Sequence, residues 1–232
     1  MSLQGTAYVL LRRMFEPCSV ELLETFGNDL TVVNAARVSL GKQVDEFTDK
    51  DARLIKYLAG HNHVSPFFHP QARFRLKMPI WMAREWYRHT IGFARNEVSR
   101  RYVDSPPTFF LPEAIRTRAP SKKQGSTDET HAYSEELIDV LRASCEESVA
   151  TYAKLLEEGV PPEQARMILP QTMMTEFIET GSLAAYARLV NLRKTEDAQT
   201  EIREVAHEVS TLLHTAFPHS WPVLVDEPLV PE

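Results

Sequence analysis

The chain has 232 residues and a mass of 26.5 kDa, room for one large domain or two small ones. Apolar residues make up 43% and charged residues 25%, with 15 prolines and only 8 glycines, which argues against collagen-like or low-complexity sequence. The formal charge of −6 disfavours general nucleic-acid binding, and no stretch approaches the roughly 18 uncharged apolar residues that span a bilayer. Met1 to Arg13 carries charge around its apolar run, Tyr8 to Leu11, and lacks a signal-peptide layout. Cys18 and Cys145 cannot build a disulfide framework. The expectation is a cytoplasmic protein without a membrane partner.

In chain order, Tyr8 to Phe15 reads as a first strand and Val20 to Phe26 as a short helix. Thr48 with Asp51 three residues on is a capping box for a helix that ends near Gly60. From Gln71 to Met78 the pattern alternates, with Gln71, Arg73, Arg75 and Lys77 on one face, and predicts a half-buried strand. Pro79 then opens a helix over Ile80 to about His89. Val98 to Val103 reads as extended, and Thr117 to Thr127, which contains Lys122, Lys123, Gln124, Gly125 and Ser126, as a polar, mobile segment. Tyr133, Leu137, Val140, Leu141, Cys145, Tyr152 and Leu156 recur at helical spacing, and Gly159 ends that helix. Pro161 and Pro162 start a shorter helix that Pro170 closes; two more are expected to meet at Gly181, and a last one carries Ile202, Val205, Val209 and Leu213. No repeat or linker interrupts the chain. The prediction is a single α+β domain over residues 1–232, with a small mixed or antiparallel sheet and a helix-rich second half.

The charge is unevenly spread. Arg73, Arg75, Lys77, Arg84, Arg88, Arg95, Arg100 and Arg101 face only Glu85 and Glu97 within one window, a basic patch suited to a small anion. No Gly-x-Gly occurs, so neither a dinucleotide fingerprint nor a phosphate-cradling P-loop is available. His61, His63 and His69 have spacing compatible with a metal, but no nearby carboxylate supports them, and a non-metal role is preferred. Cys145 sits on the apolar stripe of its helix and reads as core. The polar density from Arg88 to Tyr102 is costly unless it meets a ligand.

That segment, Arg88-His89-Thr90-Ile91-Gly92-Phe93-Ala94-Arg95 followed by Asn96-Glu97-Val98-Ser99-Arg100-Arg101-Tyr102, resembles the signature of the flavin-dependent thymidylate synthases. The resemblance extends to His63-Val64-Ser65-Pro66-Phe67-Phe68-His69, Lys77-Met78-Pro79-Ile80, Ala165 to Pro170, and Asn191-Leu192-Arg193 with Ala198-Gln199 and Glu201-Ile202. Thr90 stands where the family has arginine, Glu85 where it has glutamine, and Ser182 and Arg188 where it has asparagines. The pattern is similar to a divergent, phage-like branch.

The resemblance implies reductive methylation of dUMP to dTMP, with FAD as cofactor and NADPH and methylenetetrahydrofolate as co-substrates, in a homotetramer. It implies Arg193 as the cation that stabilises charge on the uracil, with Ser99 the other candidate catalytic residue. Flavin contacts fall on His63, Ser65, Arg88, His89, Thr90, Glu97, Ser182 and Arg188. Nucleotide contacts fall on Glu85, Arg88, Glu97, Ser99, Arg100, Arg101, Arg166 and Arg193, the arginines suiting phosphate. Nothing local lowers the pKa of Ser99, so a binding role is preferred to a nucleophilic one. Arg95 is a candidate to replace the arginine absent at Thr90. Alternatives are the same chemistry on UMP or with a 5-hydroxymethyl product and, more distantly, a nucleic-acid-binding module or a hydrolase built on the three histidines.

Overall fold

The computed structural model describes residues 14–102, 105–120 and 126–225. The fold is α+β, as expected. Among the described residues, strands β1 (Ser19–Phe26), β2 (Gln71–Pro79), β3 (Phe93–Glu97) and β6 (Met174–Ser182) form a sheet in the order β1-β2-β6-β3. A separate antiparallel pair joins β4 (Arg116–Arg118) to β5 (Ser126–Thr130). The helices are α1 (Asp29–Arg37), α2 (Asp49–Gly60), α3 (Ile80–Trp86), α4 (Ser134–Glu157), α5 (Pro162–Ala165), α6 (Leu183–Arg193), α7 (Thr200–Ala216) and α8 (Trp221–Val225). The second half is helix-rich. No helix among the described residues is long and apolar enough to cross a membrane.

Several expectations are met for local reasons. Thr48 caps α2, with its backbone N–H and hydroxyl donating to Asp51 at 2.8 and 2.6 Å, and Arg37 pairs with the same buried carboxylate at 2.6 Å. Strand β2 keeps Ala72, Phe74, Leu76 and Met78 inside, while Arg73 and Arg75 on the outer row pair with Glu24 and Glu21. Helix α4 ends at Gly159, whose φ of +81° suits glycine.

Others are corrected. Val20 to Phe26 is part of strand β1, not a helix. Met174 to Ser182 is a strand as well, so only α6 starts beyond Gly181 rather than two helices meeting there. Helix α3 stops at Trp86, and Arg88 and His89 lie beyond it. The extended segment lies at Phe93–Glu97, and the chain from Ser99 instead makes a turn in which the Tyr102 N–H donates to the Ser99 carbonyl at 3.0 Å. Of the expected strand Tyr8 to Phe15, residues 8–13 lie outside the described range, and Phe15 makes an isolated bridge to Phe109. Within Thr117 to Thr127, residues 121–125 lie outside it too, and the flanks belong to β4 and β5.

By its internal packing the chain divides into two compact units, each assembled from separate stretches. The first takes residues 77–87 and 97–177 with the N-terminal segment. Its core includes Phe109, Cys145 and Met173, flanked by Phe15, Ile80 and Leu169. The second takes residues 20–76, 88–96 and 178–232. There α6 packs against α7, α8 and the 3-10 turn Ser65–Phe68. Tyr186 of α6 is fully buried between the edges of Phe74 and Phe93, with ring centroids at 5.2 and 4.9 Å.

Gly181 makes this packing possible. A Cβ there would lie 2.5 Å from the Phe93 ring and 2.9 Å from that of Tyr186. Gly181→Ala is therefore expected to destabilise the protein by about 1–3 kcal/mol, seen as a lower urea midpoint. An unchanged midpoint would contradict this packing.

Candidate active site

The residues singled out in the sequence fall into two groups, one in each unit. In the first unit a cavity of about 870 Å³ is lined by Glu97, Ser99, Arg100, Arg101 and Arg166, all expected nucleotide contacts. Lys77 and Glu176 also line it, so four lysine or arginine side chains face two carboxylates. This surplus of cations suits an anionic ligand. Lys77 pairs with Glu16 at 2.6 Å, which ties down one of the four. The Glu97 carboxylate accepts from the Thr175 hydroxyl at 2.6 Å, so strand β6 orients it. Glu85 belongs to this unit, on α3, but does not line the cavity.

The turn that follows β3 arranges its side chains closely. The Ser99 hydroxyl accepts from both the backbone N–H and the guanidinium of Arg101, each at 3.4 Å. The Arg101 guanidinium also lies 5.1 Å from the centre of the Tyr102 ring. Ser99 is thereby held as an acceptor beside a cation, an arrangement that fits a binding group better than a nucleophile. Arg100 donates to the Ser105 carbonyl, and burial lowers its pKa from the ordinary value while Tyr152 opposes the shift. Arg166 donates through Nε to the Glu163 carbonyl at 3.3 Å.

Cys145 is buried in this unit. Burial raises its thiol, and Thr172 lies 3.3 Å from the sulfur, as befits a core residue.

The second group stands in the other unit. Arg88, His89 and Thr90 occupy the stretch between α3 and β3. Two bonds pin the next residues to α6 and its cap: the Arg188 guanidinium donates to the Ile91 carbonyl at 2.6 Å, and the Ser182 N–H to the Gly92 carbonyl at 3.2 Å. Gly92 has φ +84°, and a Cβ on it would sit 2.9 Å from the Ala185 Cβ, so the approach requires glycine. Ser182 is the N-cap of α6, its hydroxyl accepting from the Ala185 N–H at 3.2 Å. His63 and Ser65 are exposed at the turn that packs on α6.

His89 and Arg193 meet directly, the guanidinium Nε donating to the imidazole Nε2 at 3.1 Å. Burial, reinforced by Arg193, Arg95 and Arg188, lowers the His89 pKa to about 4, so the ring is neutral near pH 7. Arg193, the last residue of α6, is partly buried beside fully buried Leu189 and Val190.

The Arg95 guanidinium pairs with Glu179, whose side chain has no solvent exposure, and lies 4.7 Å from the centre of the Phe93 ring. It neutralises a buried carboxylate. Arg188 is the guanidinium bound to the backbone next to Thr90. The pairing of Glu179 with Arg95 went unread in the sequence, as did Thr175 and Glu176 as lining residues.

His61 and His63 have ring centroids 6.4 Å apart, and no group of three or more metal-capable side chains is found among the described residues.

Comparison with known proteins adds an independent line. The model of the family described as "Thymidylate synthase complementing protein" matches residues 21–219. The flavin-dependent thymidylate synthase of Thermosipho melanesiensis is 37% identical over 200 residues, 86% of each chain. That of Thermus thermophilus is 38% identical over 202 residues, covering 87% of this chain and 73% of the relative. Among solved structures, a UMP/dUMP methylase, PolB from Streptomyces cacaoi bound with 5-Br dUMP, matches with a TM-score of 0.80 at 27% identity, over 91% of this chain and 97% of that one. The same enzyme bound with 5-Br UMP matches with a TM-score of 0.81 at 26% identity, over 91% and 96% of the chains. By the extent of the family match, the chain belongs to the thymidylate synthase complementing protein family.

Proposed function

We propose that the protein methylates dUMP to dTMP as a flavin-dependent thymidylate synthase. The observation that carries this reading is the cationic cavity of the first unit, in a chain of this family. Its lining suits a nucleoside monophosphate: Arg101, Arg166 and the Ser99 turn meet the phosphate, where forked, charge-assisted bonds are strongest. Glu97, oriented by Thr175, meets the pyrimidine side of the ligand. Arg193 supplies a fixed cation for the negative charge that develops on the uracil when C5 acts as a carbon nucleophile.

The cofactor of this reading is FAD, bound by His63, Ser65, Arg88, His89, Thr90, Glu97, Ser182 and Arg188. The donor set fits such a group. Three guanidiniums, those of Arg95, Arg188 and Arg193, bear on His89, and Glu179 is already paired with Arg95. Guanidiniums suit a diphosphate or an anionic reduced ring. When bound, the flavin supplies the hydride chemistry, and NADPH and methylenetetrahydrofolate are the electron and carbon donors. A homotetramer is part of the same reading.

A second reading, UMP as substrate, is favoured by the neighbour solved with both 5-Br UMP and 5-Br dUMP. The test is turnover of dUMP and of UMP with FAD, NADPH and methylenetetrahydrofolate, with the product identified by mass. A 5-methyl product from dUMP is expected; conversion of UMP alone, or a 5-hydroxymethyl product, would replace this reading with the corresponding alternative.

Arg101→Ala is expected to raise the KM for the nucleotide about 10- to 100-fold by removing a charge-assisted bond to phosphate. An unchanged KM would remove Arg101 from the site. Ser99→Ala is expected to retain measurable turnover, whereas its complete loss would restore the nucleophilic role.

A further inference from the structure

We infer that His89 is a positioning residue for Arg193, acting as a neutral hydrogen-bond acceptor that fixes the guanidinium. The inference rests on the reading above, in which Arg193 stabilises charge on the pyrimidine.

A guanidinium donates at every nitrogen and accepts at none, so an Arg193 Nε–H aimed at His89 Nε2 over 3.1 Å requires a lone pair on that ring nitrogen. The ring proton therefore sits on Nδ1, and the imidazole is uncharged. The surroundings enforce this state. Burial opposes a proton on the ring, and so do Arg193 and Arg188 on α6 and Arg95 on β3. A protonated His89 would be a fourth cation in the cluster and would lose its acceptor.

Arg193 ends its helix and so lacks the rigidity of a mid-helix side chain. The bond at Nε sets the plane and direction in which the two terminal nitrogens project. His89 is itself fixed by the segment that follows it, since Ile91 and Gly92 are pinned through Arg188 and Ser182. The backbone of residues 89–92 thus transmits the position of α6's N-terminal end to the side chain at its C-terminal end.

The test is a set of His89 variants measured for three properties: FAD affinity by flavin absorbance, the urea midpoint, and kcat against KM for dUMP. Glutamine places its amide oxygen near the position of Nε2, whereas asparagine reaches only as far as Nδ1. The expected result is that His89→Asn and His89→Ala, assayed with FAD at saturation, lose about 100-fold in kcat, the loss that follows a misplaced catalytic group. His89→Gln is expected to recover most of that loss.

A double-mutant cycle completes the test. With Arg193→Ala in place, His89→Ala is expected to have little further effect on kcat. Equal losses of kcat in the Gln and Asn variants, or additive effects in the cycle, would each overturn the inference. Full activity of Arg193→Ala alone would instead refute the underlying role of Arg193. Should His89→Ala fail to fold, the comparison of Gln with Asn decides by the same criteria.

Discussion

A carboxylate shielded from water cannot stay ionised without a cation beside it. Glu179, with no exposed side-chain surface, therefore requires Arg95. That demand joins strand β6 to strand β3, 84 residues apart in sequence, and sets where β3 lies in the second unit. Phe93, two residues before Arg95, is thereby brought over Gly181 and against Tyr186. The segment leading into β3 must then pass over Ser182 and Arg188, which hold the carbonyls of Gly92 and Ile91. His89 comes to rest against Arg193 as a consequence. Removing the partner of a buried charge typically destabilises by about 3–5 kcal/mol, more than any exposed pair on the outer row of β2 contributes.

The same arrangement explains the electrostatics of the cluster. Burial and the guanidiniums of Arg193, Arg95 and Arg188 keep the imidazole of His89 neutral, while Glu179 pairs with Arg95. An imidazole in that field is an acceptor, not an acid. The cavity of the first unit follows a different design, with cations on a turn and on the short helical segment at Arg166, and with hydroxyls from Ser99 and Thr175 orienting charged neighbours. Each constellation is internally bonded before any ligand arrives.

Much of this was legible in the sequence, for identifiable reasons. Clean alternation marked β2, and the Thr48–Asp51 pair marked the start of α2, because both signals are local. The run Val20-Glu21-Leu22-Leu23-Glu24 reads as helix by propensity, yet sheet pairing makes it an edge strand whose glutamates meet Arg73 and Arg75 on β2. Met174 to Ser182 misleads in the same way until its period of two is followed. Thr175, Phe177, Glu179 and Gly181 share one parity, and all four are buried or nearly so. A glutamate on that face, among core positions, was the one available sign of the ion pair; its partner was invisible because nothing local links residues 95 and 179. The cavity-lining residues of the contiguous motif were readable for the opposite reason, since Glu97, Ser99 and Arg101 lie close together in the chain.

On the proposed function, these two constellations serve a flavin and a pyrimidine nucleotide. The most direct measurement is the visible absorption spectrum of the purified protein, alone and then titrated with FAD and dUMP. Flavin bands near 375 and 450 nm, about the positions of any oxidised isoalloxazine, that shift when dUMP is added are predicted. A protein that is colourless as purified and takes up no added FAD would contradict the account.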